Sequence, residues 1–270
     1  MMEEKYALEL IMKGKRVDGR KFDEFRPIEI IPNIIKNAEG SAQVRFGDTE
    51  VIAGVKMKTG TPFADTPNEG ILIVNSEFTP LASPDFESGP PGEDAIELSR
   101  VVDRGIRESH MVDVEQLVLK PEEKVWAMFV DIHMINHQGN LIDAASIAAV
   151  TALHTTKIPK IELAKEGEKI DKILRGEYEK PLPAVHIPIT ITVGKVGNNL
   201  LVDPNLEEEK VLDAKLSIAV REDNTICALQ KQGSKELELS DVDKMIELAI
   251  RKSAELRELV KEAIKEARKE

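Results

Sequence analysis

The run Ile142-Asp-Ala-Ala-Ser-Ile-Ala-Ala-Val-Thr-Ala-Leu153 constrains the fold more than any other part of the chain. Its small residues are good helix formers, and a helix lined by alanine and serine lets a neighbouring backbone come close, so it belongs in the core against a sheet. The flanking sequence supplies that sheet. Ala42, Val44 and Phe46 alternate with polar residues, Gly47-Asp48 has the chemistry of a tight turn, and Val51, Ala53 and Val55 resume the alternation, which predicts a hairpin. Further strands are expected at Ile71–Val74, Gln116–Leu119 and Val125–Ile135.

The second half repeats this style. Strands are expected at Ala184–Val193, Leu200–Val202, Ala214–Val220 and Thr225–Gln230, followed by a long terminal helix with Val242, Ile246, Leu256, Leu259 and Ile264 on its apolar side. Ser240 and Asp243 resemble a capping box at its start. Strands followed by helices, twice over, predict an α+β architecture. The expected division is residues 1–160 and 184–270, with the charged stretch 161–183 as a linker or surface helix between them.

With 270 residues and 41% hydrophobic content, the chain has ample material for a real core. No window approaches a membrane span, and MMEEKYALEL has neither the basic start nor the apolar run of a secretion signal, so a cytoplasmic protein with no membrane partner is expected. The single cysteine, Cys227, lies in an apolar alternation and is expected to be a buried, inert thiol. His133, His137, His154 and His186 show no paired ligand spacing, and the Gly89 to Gly92 loop lacks a nucleotide-binding fingerprint; no metal site and no cofactor are expected.

The formal net charge is -12, so a polyanion would have to be held by a local basic stripe. Arg100, Arg104 and Arg107, at i, i+4 and i+7 in a helix starting near Asp94, would form one. Pairing of these arginines with Glu97, Asp103 and Glu108 on an ordinary solvated helix is the competing reading.

The order Arg16-Val-Asp-Gly-Arg20, Arg26-Pro27, Gly40-Ser-Ala-Gln-Val-Arg-Phe-Gly-Asp-Thr-Glu-Val-Ile-Ala-Gly54, Gly89-Pro-Pro-Gly92, Glu97-Leu-Ser-Arg-Val-Val-Asp-Arg104, Val130-Asp-Ile-His-Met-Ile135 and Asp203-Pro-Asn-Leu-Glu-Glu-Glu209 resembles the ribonuclease PH family. Within it, the likeness is to the non-catalytic type of ring subunit in the archaeal RNA exosome. The resemblance implies a duplicated α+β fold and a ring of three heterodimers with a catalytic paralogue. It also implies RNA-binding cap proteins as partners, and single-stranded RNA threading a central channel toward 3'-to-5' degradation. By the same resemblance, Arg100 and Arg104 reach across the subunit interface to grip RNA. Arg107 extends the row by helical geometry alone, and Lys56 and Lys58 lead into a loop, 59–69, that faces the channel in the family.

Phosphorolysis needs inorganic phosphate held by backbone N–H groups, a hydroxyl and an arginine at a helix amino end. Active members of the family have Gly, Thr or Ser, and then Arg before the small-residue helix. Here the loop reads His137-Gln-Gly-Asn-Leu-Ile-Asp143, lacking hydroxyl and arginine, and Asp143 is expected to repel the nucleophile, although Gly139 could keep an amide free. Active members also have two aspartates six residues apart as the source of a general acid. This chain has Asp203 and Glu209, so Asp203 is at most a vestigial catalytic candidate, and Asp203-Pro204 followed by three glutamates also reads as a turn opening a solvated segment. The expectation is therefore a subunit that does not cut RNA, with phosphate used by its partner. The rivals are an active phosphate-dependent 3'-to-5' exoribonuclease in a homomeric ring, and an unrelated α+β enzyme or structural module.

Overall fold

The computed structural model describes residues 2–162 and 172–269. In chain order the elements are α1 (Met2–Met12), β1 (Ile28–Pro32), β2 (Gly40–Phe46), β3 (Thr49–Gly60), β4 (Ile71–Glu77), α2 (Glu93–Glu108), β5 (Val118–Lys120), β6 (Lys124–Asn136), α3 (Leu141–Thr155), β7 (Lys157–Glu162), β8 (Lys172–Pro181), β9 (Ile189–Val196), β10 (Asn199–Val202), α4 (Leu206–Glu209), β11 (Ala214–Val220), β12 (Ile226–Gln232) and α5 (Leu239–Ala267).

The first sheet runs β1-β2-β3-β6-β4, with β5 paired to β6. Its strands are antiparallel except for the parallel pair β4–β6. The second sheet runs β10-β9-β11-β12 and is antiparallel throughout. The expected hairpin at Gly47-Asp48 is the β2–β3 turn, with Phe46 opposite Thr49.

The helix α3 lies between the two sheets and is buried along its whole length. Ala144, Ala145, Ala148, Ala149 and Ala152 have no exposed surface, which is what allows both sheets to approach it. Gly40 shows how close that approach is: a Cβ there would stand 2.4 Å from the Ala152 carbonyl oxygen. The helix α5 covers the second sheet and also touches α3 and β1, so one hydrophobic core spans both halves.

The strand boundaries shift by a few residues, and four expectations are corrected. Residues 114–117 form a 3-10 turn, with only 118–120 extended. The described part of the charged stretch 161–183 contains strand β8, paired with β7, instead of a helix; residues 163–171 lie outside the described residues. The terminal helix begins at Leu239 after Glu238, and no side chain caps it. Cys227 is half-buried, and burial pushes its thiol pKa up.

Candidate nucleic-acid interface and anion cradle

The helix α2 separates its two faces cleanly. Ala95, Leu98, Val101, Val102, Gly105 and Ile106 are buried against the sheets, while Arg100, Arg104 and Arg107 stand exposed on the other side. The three do not behave alike. Arg100 makes no hydrogen bond or ion pair among the described residues. Arg104 Nη1 donates to Gln230 Oε1 on β12 at 3.3 Å. Arg107 is engaged within the chain: Nη2 donates to Asp103 Oδ1 at 2.8 Å and to the Leu72 carbonyl at 3.0 Å.

The two lysines also differ. Lys56 Nζ donates to the Asn37 carbonyl and to Glu39 Oε1, both at 2.8 Å. Glu39 in turn accepts the backbone N–H of Met57, so Lys56 braces the strand and is not presented outward as a free cation. Lys58 is exposed and lies 5.1 Å from the centroid of the Phe129 ring.

At the amino end of α3, where the resemblance leads one to expect the attacking phosphate, the chain supplies its own anion. Asp203 follows β10 with a left-handed backbone, φ 47°, and has no exposed surface. Its Oδ1 accepts from Arg26 Nη2 at 2.6 Å and from Asn140 Nδ2 at 3.0 Å. Its Oδ2 accepts from Arg20 Nη1 at 2.9 Å, and from the backbone N–H and Nε of Arg26 at 2.8 and 2.9 Å. Burial pushes the Asp203 pKa up, but the Arg26 and Arg20 bonds outweigh it and hold the carboxyl below its ordinary value. Arg16, completely buried, ties the same segment down: it donates to the carbonyls of Val202 and Asp203 and forms a two-pronged pair with Glu208.

Several polar groups of the loop before α3 are engaged too, although Asn140 Oδ1 is buried without a partner among the described residues. The Gly139 amide lies 3.3 Å from His137 Nδ1, and the Gln138 amide donates to Thr49 Oγ1. The Gly139 carbonyl accepts from Thr49 Oγ1 and Arg26 Nη2, and the Leu206 amide donates to the Gln138 carbonyl. A Cβ on Gly139 would stand 2.5 Å from the Pro204 carbonyl oxygen, so the 203–206 segment is seated directly on this loop. Beside it is a cleft of about 390 Å³ lined by Asp18, Arg20, Arg26, Gln138 and Asn205.

Three expectations about this region change. Gly139 does not keep a free amide. Asp203 and Glu208 do not open a solvated segment, since both are fully buried, and Asn205 with Glu208 forms a capping box on the short helix α4. Asp143 does not face an incoming anion: it is fully buried and accepts from Thr192 N, Thr192 Oγ1 and Asn140 Nδ2. Burial pushes its pKa up to about 7 against the pull of those bonds. The negative charge at the cradle therefore belongs to Asp203. Glu209 turns away to Lys215, 3.3 Å distant.

Sequence reasoning used Arg16, Arg20 and Arg26 only as markers of resemblance and did not anticipate them as the donors around residue 203. Their partners lie 177 to 192 positions away, so no local spacing signals the contact. The contact of Gln230 with Arg104 likewise spans 126 positions and leaves no local signal.

Profiles of the 3' exoribonuclease family match both halves, domain 1 over residues 24–159 and domain 2 over residues 186–252. The chain is 47% identical over 259 residues to the exosome complex component Rrp42 of Thermococcus kodakarensis, covering 96% of this chain and 94% of that protein. A chain of the Archaeoglobus fulgidus exosome with RNA bound to the active site superposes with a TM-score of 0.86 at 46% identity, covering 95% of this chain and 97% of that one. A chain of an archaeal exosome core gives 0.83 at 43% identity, with 96% of each covered.

Proposed function

This chain belongs to the 3' exoribonuclease family, with the Rrp42-like ring subunits of the archaeal exosome, and we propose that it guides RNA without cutting it. In this reading it completes an interface with a catalytic paralogue in a ring of three heterodimers located in the cytoplasm. Arg100 and Arg104 hold the RNA backbone at that interface, and single-stranded 3' ends, delivered by RNA-binding cap proteins, pass to the paralogue. The paralogue alone uses inorganic phosphate.

The observation that carries this reading is the state of Asp203. A general acid must hold a proton near neutrality and release it to the departing 3' oxygen. A buried carboxylate receiving three bonds from Arg26 and one each from Arg20 and Asn140 is held toward its ionised form and has no exposed surface, which supports this reading. The same carboxylate occupies the Arg20, Arg26 and Asn140 donors beside the amino end of α3, and the Gln138 and Gly139 amides are engaged by Thr49 and His137. Arginine suits the remaining task because its fork can contact phosphate oxygens while its plane can stack on a base.

The test is a phosphate-dependent RNA decay assay on the chain alone, the paralogue alone and the assembled ring. The expected result is no nucleoside diphosphate released by this chain alone, and full decay by the ring. Arg100→Ala with Arg104→Ala should lower RNA affinity and turnover while the ring still assembles. At roughly 0.7 of salt slope per phosphate contact on a single strand, the double variant should flatten the slope by about 1.4. Phosphorolysis by the purified chain alone would overturn the reading.

A further inference from the structure

The reach of helix geometry offers Arg100 and Arg104 carboxylate partners that they do not take. Glu97 lies three residues before Arg100, and Glu108 lies four after Arg104, both at spacings where opposite charges on a helix meet. Among the described residues neither pair forms. Glu97 and Arg104 meet instead on a third side chain from the other half of the molecule: Gln230 Nε2 donates to Glu97 Oε1 at 3.3 Å, and Gln230 Oε1 accepts from Arg104 Nη1 at 3.3 Å.

The orientation of that amide is dictated by its neighbours. A carboxylate only accepts and a guanidinium only donates, so the end facing Glu97 must be the amino group and the end facing Arg104 the carbonyl. Gln230 is half-buried on β12, the edge strand of the second sheet, against which α2 is packed. It therefore draws Glu97 away from Arg100 and steadies Arg104 with a neutral acceptor, which leaves the guanidinium charge available. A carboxylate in the same place would hold Arg104 but cancel its charge toward phosphate.

Resting on the RNA-guiding reading above, we infer that Gln230 is a positioning residue for RNA: through Glu97 and Arg104 it keeps the row on α2 open and ordered for a phosphate backbone. The test uses the assembled ring with Gln230→Met, which keeps length but cannot accept from Arg104, in a cycle with Arg104→Ala. Loss of one modest hydrogen bond corresponds to about a threefold rise in the Kd for single-stranded RNA. That rise should shrink when Arg104 is already alanine, the remainder being the release of Glu97 toward Arg100, with ring assembly and melting temperature unchanged.

Gln230→Glu should weaken binding more than Gln230→Met, because it adds the opposing charge. If Arg104→Ala weakens RNA binding while the Gln230 variants do not, or if their effects simply add to it, Gln230 has no positioning role and the RNA-guiding reading stands. If Arg104→Ala itself leaves RNA binding unchanged, that reading falls and the inference falls with it.

Discussion

Asp203 shows how one residue can look catalytic by position and be structural by environment. The side chain is fully buried, and the two arginines that hold it are themselves only 10 to 11% exposed. Removing the carboxylate leaves Arg26 without its carboxylate partner, while Arg20 keeps its pair with Asp18, and breaking a largely buried pair of this kind costs about 3–5 kcal/mol. Asp203→Ala should therefore lower the unfolding free energy by about that amount, measured by denaturant titration. A loss within the ~0.5 kcal/mol typical of surface changes would show that the cluster contributes little. Along the arginine row the same distinction applies: Arg107 is bonded to Asp103 and the Leu72 carbonyl, whereas Arg100 and Arg104 are not held by any carboxylate among the described residues.

At the scale of elements, α3 sets the spacing of the molecule. Its alanines let β2 and β3 lie on one side and β9 on another, and where its carboxyl end meets the start of β2 only glycine fits. Gly40→Ala would drive a methyl to 2.3 Å from Thr156 Oγ1 and 2.4 Å from the Ala152 carbonyl, and the latter is backbone that cannot rotate away. Overpacking of this kind costs about 1–3 kcal/mol, so a fall in melting temperature of several degrees is expected by calorimetry. An unchanged melting temperature would mean that β2 can shift away from α3 freely. The helix α2 is held differently, by an apolar face below and by Gln230 at its rim, which lets it present charge while staying fixed.

For the whole molecule, Asp143 joins the halves: it sits in the first turn of α3 and receives two hydrogen bonds from Thr192 on β9. Its folded pKa, about 7, lies above the ordinary 3.8, so the folded chain holds more protons than the unfolded one between those values. Its contribution to stability is thus present at low pH and is lost as pH rises toward about 7. Asp203 acts in the opposite sense, stabilising above the ordinary carboxylate range and losing its effect as pH falls through its lowered folded pKa. Asp143→Asn removes only the first dependence. The melting temperature of this variant minus that of the parent should therefore increase from about pH 4 to pH 7; a difference that does not change with pH would count against the assignment.

The sequence by itself determined the duplicated α+β plan, the buried small-residue helix, the β2–β3 hairpin and the two-faced helix α2, because each is written in a local period or a turn of a few residues. The order of its motifs also carried the family, which the matches over both halves bear out. Tertiary structure decided which charges are free. The partners of Asp203, Glu208 and Arg104 are far away in sequence, and a carboxylate's fate depends on burial and on the donors that converge on it, neither of which periodicity encodes. For the same reason Asp143, expected as a repulsive charge, is a buried link between α3 and the second sheet.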